Sequence, residues 1–414
     1  MKAIIIYTYI IIFGGWLFKL INLPSEVGLI ILQLFDYLPF LFLPWLFKVK
    51  RNTKILPNSI YFWVIVILFL ILSLTTTIYH KGELMAAIAH FGALFRYTPL
   101  AALLYILKIS EKDIKLFYKN FIIISVILII IGYLEIIGGD NIKDLFLPLT
   151  KEYSSSANIK DSSSISGIFP NTVDYSYFLV ISYIIISNKR NVTNQFLLFV
   201  LYLIPIYFSG SKAALIIFLL CLSFKMENIK MIRNTFIGVV GVGAAVLIYQ
   251  FWELFYWTVF IDSQASRLGY IIFTLPSFIQ EFSIDTLIGV SPDKTLVYQK
   301  INSYVNAPML TWNIDYITSF EDEFYVALIV YYGLIGFSLL LFLFIGMYRA
   351  FNNVKWKDTL FNYPIIVKSL FIILVIAPLF NQIIILKPFT IFFWCWIGLI
   401  ENRIVEKNKV LRLS

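Results

Sequence analysis

Arg267 is the residue whose type and setting most clearly suit chemistry in this sequence. It lies in the run Asp262–Tyr270, where the aspartate can cap a helix whose leucine and isoleucine residues form one apolar stripe. Arg267 and Tyr270 then share the opposite face, and a guanidinium beside a helix N-terminus suits a phosphate group. We therefore expect both residues to bind substrate. A solvated arginine, or one that contacts a lipid phosphate, is the alternative for Arg267.

Asp322 and Glu323 stand immediately before an apolar run and could supply a general base. A carboxylate within hydrogen-bond reach can take the proton of an attacking hydroxyl group. The structural alternative is a helix cap, because Ser319 precedes Asp322 by three residues and acids favour a first helical turn. Asp322 and Glu323 are the predicted catalytic residues.

Arg96 is a cation inside an apolar run. Charges inside membrane spans are costly, and they are usually functional or paired. Asp36 lies at a comparable depth in an earlier apolar run, so a structural Asp36–Arg96 pair competes with substrate binding, and the two roles are compatible. Lys387 could add a further cation to an outward-facing site, although snorkelling to the interface explains it equally simply.

The apolar runs at residues 196–224 form a short hairpin with Ser211 and Lys212 at its tip. Each arm has about thirteen residues and rises roughly 20 Å as a helix, less than the roughly 30 Å of a bilayer core. The tip is expected to line an aqueous pocket, or Lys212 snorkels to the interface. Asn171 and Asp174 flank the start of the preceding apolar run and either bind polar substrate or cap the helix.

Composition indicates a membrane protein. Hydrophobic residues make up 60% of the 414 residues and charged residues only 14%, a balance that predicts an all-α, polytopic membrane protein. Two cysteines in apolar runs and two scattered histidines predict no metal site and no cofactor. The net charge of +9 lies in short loops, which argues against nucleic acid as a partner. About twelve transmembrane helices are expected, at residues 3–22, 27–47, 59–79 and 84–107, a fifth that ends near 137, and then 172–187, two within 196–224, 234–252, 324–347, 363–381 and 383–400.

The charge distribution predicts the topology. Basic residues concentrate in every second loop, which the positive-inside rule places in the cytoplasm together with both termini. Residues 253–323 contain nine acidic and three basic residues, so this large loop is predicted to face outward and to carry short helices. The predicted divisions are 1–252 with nine spans and an outward loop at 138–171, the large loop 253–323, and 324–414 with three spans and a basic tail.

Several short motifs, in their order and with this topology, resemble the O-antigen polymerase (Wzy) family, which is related to the O-antigen ligases. The resemblance covers mainly residues 167–347. Its motifs are Gly167-Ile-Phe-Pro-Asn171, Ser209-Gly-Ser-Lys-Ala213, Ala265-Ser-Arg267 followed by Leu287-Ile-Gly289, and Asp322-Glu-Phe-Tyr325 leading to Gly333-Leu-Ile-Gly336. Lys212 stands where the family often has arginine. No histidine precedes the last motif, which favours a polymerase over a ligase.

The resemblance implies a GT-C-like fold in the bacterial inner membrane and metal-independent glycosyl transfer at the periplasmic face. Donor and acceptor would be oligosaccharide repeat units on undecaprenyl pyrophosphate, joined into an O-antigen or capsule-type polysaccharide. Membrane lipids and a chain-length regulator are the further expected partners. Arg267, Lys212 and Arg96 would neutralise phosphate charge, while Asp322 or Glu323 would activate the acceptor hydroxyl.

Two other functions stay open. An O-antigen ligase differs from a polymerase in its acceptor, and a lipid-linked oligosaccharide flippase handles the same substrate without chemistry. Transporters often show repeated halves and charged sites at the membrane midplane. The sequence has no convincing internal repeat and places its charges outward, which favours the enzyme.

Overall fold

The computed structural model describes residues 1–41, 54–107, 109–146, 164–189, 194–225, 275–304, 324–352, 360–379 and 386–413. Within these ranges the chain is helical, and no β-strand forms beyond one isolated bridge between Lys189 and Phe361. The all-α prediction is therefore confirmed for the described part of the chain.

The helices are numbered in chain order. The first nine are α1 (Lys2–Leu20), α2 (Ser25–Tyr37), α3 (Ile60–Tyr79), α4 (Leu84–Phe95), α5 (Thr98–Ile106), α6 (Glu111–Phe146), α7 (Thr172–Ser187), α8 (Gln195–Phe208) and α9 (Lys212–Lys225). They are followed by α10 (Leu275–Gln280), α11 (Ile284–Ile288), α12 (Lys294–Tyr304), α13 (Phe324–Asn352), α14 (Tyr363–Ile376) and α15 (Lys387–Leu413), with a 3-10 turn at Ala377–Leu379.

Four of the described helices, α1, α3, α6 and α13, are long and apolar enough to cross a membrane. The pair formed by α4 and α5 also qualifies as one span, bent by 45°. Helices α7, α8 and α14 and residues Lys212–Leu222 are shorter apolar helices. The protein thus has several candidate membrane spans, and the count of twelve stays a prediction.

Two predicted spans match the described helices, and each contains or meets a break. The run 84–107 is a pair of helices bent by 45°, because Pro99 suits the first turn of α5 but offers no N–H with which to continue α4. The fifth span was predicted to end near residue 137, and the helix indeed breaks at Gly139 before a second helical segment continues to Phe146. The φ of 59° and ψ of −145° at Gly139 lie in a region that essentially only glycine adopts.

The short hairpin is confirmed. Helices α8 and α9 contain 14 residues each and flank a tip at Ser209–Ser211, where Gly210 has a φ of 74°. The tip lies against the segment that precedes α7, because the Ile165 N–H donates to the Phe208 carbonyl oxygen at 3.1 Å. Gly210 also approaches Ser164. The hairpin therefore supports the chain just before Asn171.

Helices α7 and α15 form the centre of the protein. Every residue of α7 from Asp174 to Ser187 is buried, as expected for a helix that is apolar all round. Helix α7 contacts α6, α8, α9 and α15, and α15 packs most extensively on α5. A side chain at Gly398 would lie 2.6 Å from the Ala101 carbonyl oxygen, so a small residue permits this close helix approach.

The described part of the predicted large loop docks on α3 and α13. The N–H groups of Val290 and Ser291 donate to carbonyl oxygens of α13 at 2.8 and 3.1 Å. At the same place Gly289 has a φ of 85° and Gly333 a φ of 65°. A side chain at Gly333 would lie 2.2 Å from the Leu287 carbonyl oxygen. The two motif glycines thus permit backbone-to-backbone contact between the loop and a break in α13.

Candidate functional site

Asp36 is the centre of a buried charged cluster. One of its carboxylate oxygens lies 3.5 Å from Arg96 Nη1 and also pairs with the ammonium group of Lys387. Its other oxygen accepts a hydrogen bond of 3.0 Å from the Tyr97 hydroxyl. Asp36 is 3% exposed. One buried carboxylate is therefore shared by two cations, and we refer to Asp36, Arg96, Tyr97 and Lys387 as the Asp36 cluster.

Helix ends and breaks supply the members of this cluster. Asp36 is in the last turn of α2, and Arg96 and Tyr97 form the break between α4 and α5. Lys387 is the first residue of α15, where Pro388 follows as a residue suited to a helix start. Three parts of the chain that are distant in sequence therefore meet where regular helix stops.

Asp174 lies beside the Asp36 cluster, in the first turn of α7. Arg96 and Lys387 both act on its carboxylate electrostatically. Asp174 is 5% exposed, and its Oδ1 atom accepts no hydrogen bond from any residue that the structure describes. Asn171 caps α7, because its side-chain oxygen accepts a 2.7 Å hydrogen bond from the Asp174 N–H. The predicted capping role of Asn171 is thus confirmed, while the Asp174 side chain keeps an acceptor oxygen available.

The exposed fraction of the side chains rises across the site. The side chain of Asp36 is 5% exposed, that of Arg96 11% and that of Lys387 42%. Helices α7 and α15 also begin beside the Asp36 cluster, and each helix N-terminus carries a partial positive charge. The formal charges of Asp36, Asp174, Arg96 and Lys387 balance. Two cationic donors beside a carboxylate acceptor suit a ligand that carries an anionic group next to hydroxyl groups.

Glu135 positions the segment that leads to α7. Its Oε2 atom accepts hydrogen bonds from the N–H groups of Ser166 at 2.9 Å and Gly167 at 3.0 Å. Gly167 has a φ of 58°, and a side chain there would lie 3.0 Å from the Tyr175 ring. This irregular backbone begins the Gly167–Asn171 motif and is satisfied by a buried carboxylate, as membrane interiors require.

The structure brings together some of the predicted site residues and separates others. Arg96, Asp174 and Lys387 lie in or beside the Asp36 cluster, and the predicted Asp36–Arg96 pair is confirmed. Ser211 caps α9, since its hydroxyl oxygen accepts from the Ala214 N–H at 3.4 Å. Lys212 is exposed and makes no ion pair with another described residue. The remaining predicted residues, Arg267, Tyr270, Asp322 and Glu323, lie outside the described residues.

Sequence reasoning missed Tyr97 and Glu135 and gave Lys387 a minor part. The signal for Tyr97 is its position directly after Arg96, because a phenol hydroxyl beside a buried charge usually finds a partner. Glu135 is an acid inside an apolar run, the same signal that pointed to Arg96. Nothing local indicates that Lys387 reaches Asp36, because that contact depends on how α15 packs.

A second charged cluster lies where the predicted large loop docks on α3. Asp285 Oδ1 is 3.2 Å from His80 Nε2, and Asp285 Oδ2 is 2.7 Å from Lys300 Nζ. The same lysine bonds Glu281 at 2.9 Å. We refer to His80, Glu281, Asp285 and Lys300 as the docking cluster, because it joins α10, α11 and α12 to the end of α3.

Among the described residues, no group of three or more histidine, cysteine, aspartate or glutamate side chains could hold a metal ion. The fold and the site define a helical protein with several candidate membrane spans and a charged cluster at broken helices, in which one buried aspartate is shared by two cations. Neither the known family models nor the curated proteins match this sequence.

Proposed function

We propose that this protein polymerises oligosaccharide repeat units linked to undecaprenyl pyrophosphate, by metal-independent glycosyl transfer at the periplasmic face of a bacterial inner membrane. The juxtaposition of Arg96, Lys387 and the available Asp174 oxygen supports this proposal most directly. A lipid-linked sugar presents the complementary combination of groups, because its phosphate anions adjoin hydroxyl donors.

The proposed reaction has one displacement step. The acceptor hydroxyl oxygen attacks the anomeric carbon of the donor glycan, and the bond from that carbon to the pyrophosphate oxygen breaks. The lipid pyrophosphate leaves with the electron pair, and the hydroxyl proton passes to a carboxylate. Asp322 or Glu323 is the proposed base, in keeping with their place at the end of the large loop.

The proposed role of the cations is to stabilise negative charge that grows on the leaving pyrophosphate. Arg96 offers a planar set of donors in a buried setting, where such interactions are strongest. Lys387 is more exposed and would meet the phosphate as it enters from the bilayer. Asp174 would accept a hydrogen bond from a sugar hydroxyl and so orient the substrate. Arg267, Tyr270, Ser211 and Lys212 are proposed as further substrate contacts, and Asn171 as support for Asp174.

The decisive experiment uses purified full-length protein in detergent with lipid-linked repeat units, and it measures glycan length on gels. Arg96→Gln should slow polymerisation by about 10²- to 10³-fold, the scale of losing one charge-stabilising donor. Arg349→Gln, at an exposed cation of α13 outside the cluster, should act like the wild type. Full-length polymer from Arg96→Gln at the wild-type rate would refute the proposed role.

Folding needs a separate control, because Arg96→Gln leaves Asp36 with fewer partners. The double variant Asp36→Asn/Arg96→Gln removes one charge of each sign, so the net charge of the cluster stays the same. A monodisperse, thermally stable double variant that is also inactive would assign the loss to chemistry. Asp322→Asn and Glu323→Gln, singly and together, test the base, and Arg267→Ala tests the second phosphate contact.

Transport is the second candidate function, and one observation favours it. The Asp36 cluster lies at a broken helix and at two helix N-termini, an arrangement with which transporters bind ions and anionic substrates. Reconstituted vesicles that move a labelled lipid-linked glycan between leaflets, without lengthening it, would support the flippase. Transfer of the glycan to lipid A core rather than to a second lipid-linked unit would instead indicate a ligase.

A further inference from the structure

A groove with a volume of about 460 Å³ lies between α13 and α14. Its size falls within the range of ligand-binding sites. On α14 the lining residues recur at helical spacing, and on α13 a matching stripe extends from Phe337 to Tyr348. The α14 stripe consists of Lys368, Phe371, Ile372, Val375 and Ile376. Two helices thus turn apolar stripes toward a common space that their side chains do not fill.

The groove has one closed end. The Tyr325 hydroxyl donates to the carbonyl oxygens of Leu374 at 3.2 Å and Val375 at 3.0 Å. These bonds join α13 to the C-terminal turn of α14, where carbonyl groups lack helical partners. Between this end and Lys368 the groove follows α14 for about 12 Å, at 1.5 Å per residue.

The other end of the groove is basic. Tyr348 and Phe371 pack edge to face there with ring centroids 5.5 Å apart, and Lys368 lies one helical turn from Phe371. Arg349 follows Tyr348 in the last turn of α13 and is exposed. In sequence, the connection from α13 to α14 adds Lys355 and Lys357. Lys368 therefore places a cation at one end of an otherwise apolar groove, and Arg349 follows the last groove residue of α13 in sequence.

We propose that this groove binds an anionic phospholipid, with an acyl chain between α13 and α14 and the headgroup phosphate at Lys368. The apolar stripes suit a hydrocarbon chain, and the basic end complements the phosphate. The positive-inside rule assigns this basic end to the cytoplasmic leaflet, which is rich in anionic phospholipids. The site is thus distinct from the Asp36 cluster and independent of the reaction proposed there.

We prefer a phospholipid to a lipid-linked glycan as the occupant because the basic end of the groove is assigned to the cytoplasmic leaflet. The glycan reaction is proposed at the opposite face, whereas Lys368 is near the start of α14, the helix that follows the lysine-rich connection in sequence. Leu341, Ile345 and Val375 are exposed large apolar residues along the groove, so an acyl chain can enter sideways from the bilayer.

The test uses delipidated full-length protein in neutral detergent and counts bound lipids by native mass spectrometry. Phosphatidylglycerol should bind at least about fivefold more tightly than phosphatidylcholine, the scale expected for one basic residue at an anionic headgroup. Lys368→Gln should remove that preference, and Lys368→Arg should keep it. Lys112→Gln, at an exposed lysine of α6 outside the groove, is the matched control and should bind like the wild type.

Three outcomes would overturn the proposal. Equal binding of the two phospholipids by the wild type would mean that the groove has no headgroup preference. An unchanged preference in Lys368→Gln would place the headgroup elsewhere. Tighter binding of polyprenyl phosphate that displaces phosphatidylglycerol would identify a prenyl chain as the occupant. Elution volume and melting temperature without added lipid show that each variant is folded.

Discussion

The Asp36 cluster and the docking cluster use the same design in two environments. In each, one aspartate bridges two basic groups: Asp36 bridges Arg96 and Lys387, and Asp285 bridges His80 and Lys300. The aspartate side chain is 5% exposed in the first cluster and 19% exposed in the second. The two clusters therefore differ in how deeply the bridging aspartate is buried.

The difference in burial changes what each cluster does. Charges taken into a protein interior lose hydration, and their mutual attraction only partly restores that free energy. A partly exposed pair loses less and contributes less. The docking cluster accordingly holds a loop segment against α3. The Asp36 cluster contributes little net stability because its charges are buried. This small net contribution is the physical reason to assign the cluster a function.

The surroundings sharpen the same contrast. Asp174, beside the Asp36 cluster, has a carboxylate oxygen without a hydrogen-bond donor among the described residues. In the docking cluster, the second acid is Glu281, which bonds Lys300 at 2.9 Å. The second carboxylate is thus available to a ligand in one cluster and paired with a lysine in the other.

The largest effect is expected when Asp36 is removed. Asp36→Ala leaves Arg96 and Lys387 without their shared carboxylate, and breaking a buried ion pair costs about 3–5 kcal/mol. Denaturant titration of the purified protein in detergent measures this loss of unfolding free energy. A loss of stability as small as that of a surface ion pair would show that water reaches Asp36 freely. The two clusters would then not differ in burial.

A smaller effect is expected from adding a methyl group at Gly333. Gly333 and Gly139 share a backbone conformation that strains any other residue by about 1–3 kcal/mol. A side chain at Gly333 also meets backbone at 2.2 Å, whereas one at Gly139 meets nothing within 4 Å. Gly333→Ala should therefore destabilise the protein by at least about 1 kcal/mol more than Gly139→Ala.

Limited proteolysis gives the second measurement for this pair of variants. Gly333→Ala should expose the segment 275–304 to cleavage, because the docking cluster depends on the contact between α11 and α13. Gly139→Ala should leave that segment protected. Equal cleavage in both variants would mean that the glycine contact does not hold the segment.

The smallest effect is expected at the docking cluster itself. Asp285→Asn should reduce the free energy of unfolding by about 0–1 kcal/mol, as usual for partly exposed ion pairs. Salt should shrink this difference further, since the Debye length falls from about 10 Å at 0.1 M to about 3 Å at 1 M. The Asp36→Ala effect should change little with salt. A similar salt response in both variants would contradict the assignment of Asp36 as buried.

Local patterns in the sequence determined much of the helical framework. The short hairpin, the cap at Asn171 and the buried helix α7 follow from periodicity, apolar composition and turn residues within a few positions of each other. The Asp36–Arg96 pair was also predictable, because an unpaired charge in an apolar run needs a partner and few candidates exist. The same argument applies to Glu135, although its partners proved to be backbone N–H groups.

Only the tertiary structure decided how these elements meet. It brought Lys387 to Asp36, set Asp174 beside both cations and pressed Gly289 against the break at Gly333. Such contacts join residues far apart in sequence, so no local propensity encodes them. They depend on which helix faces lie together, and that choice is made by close packing over the whole interior. The sequence thus determined the charged groups and the helices that carry them, and the fold decided which of the groups share a site.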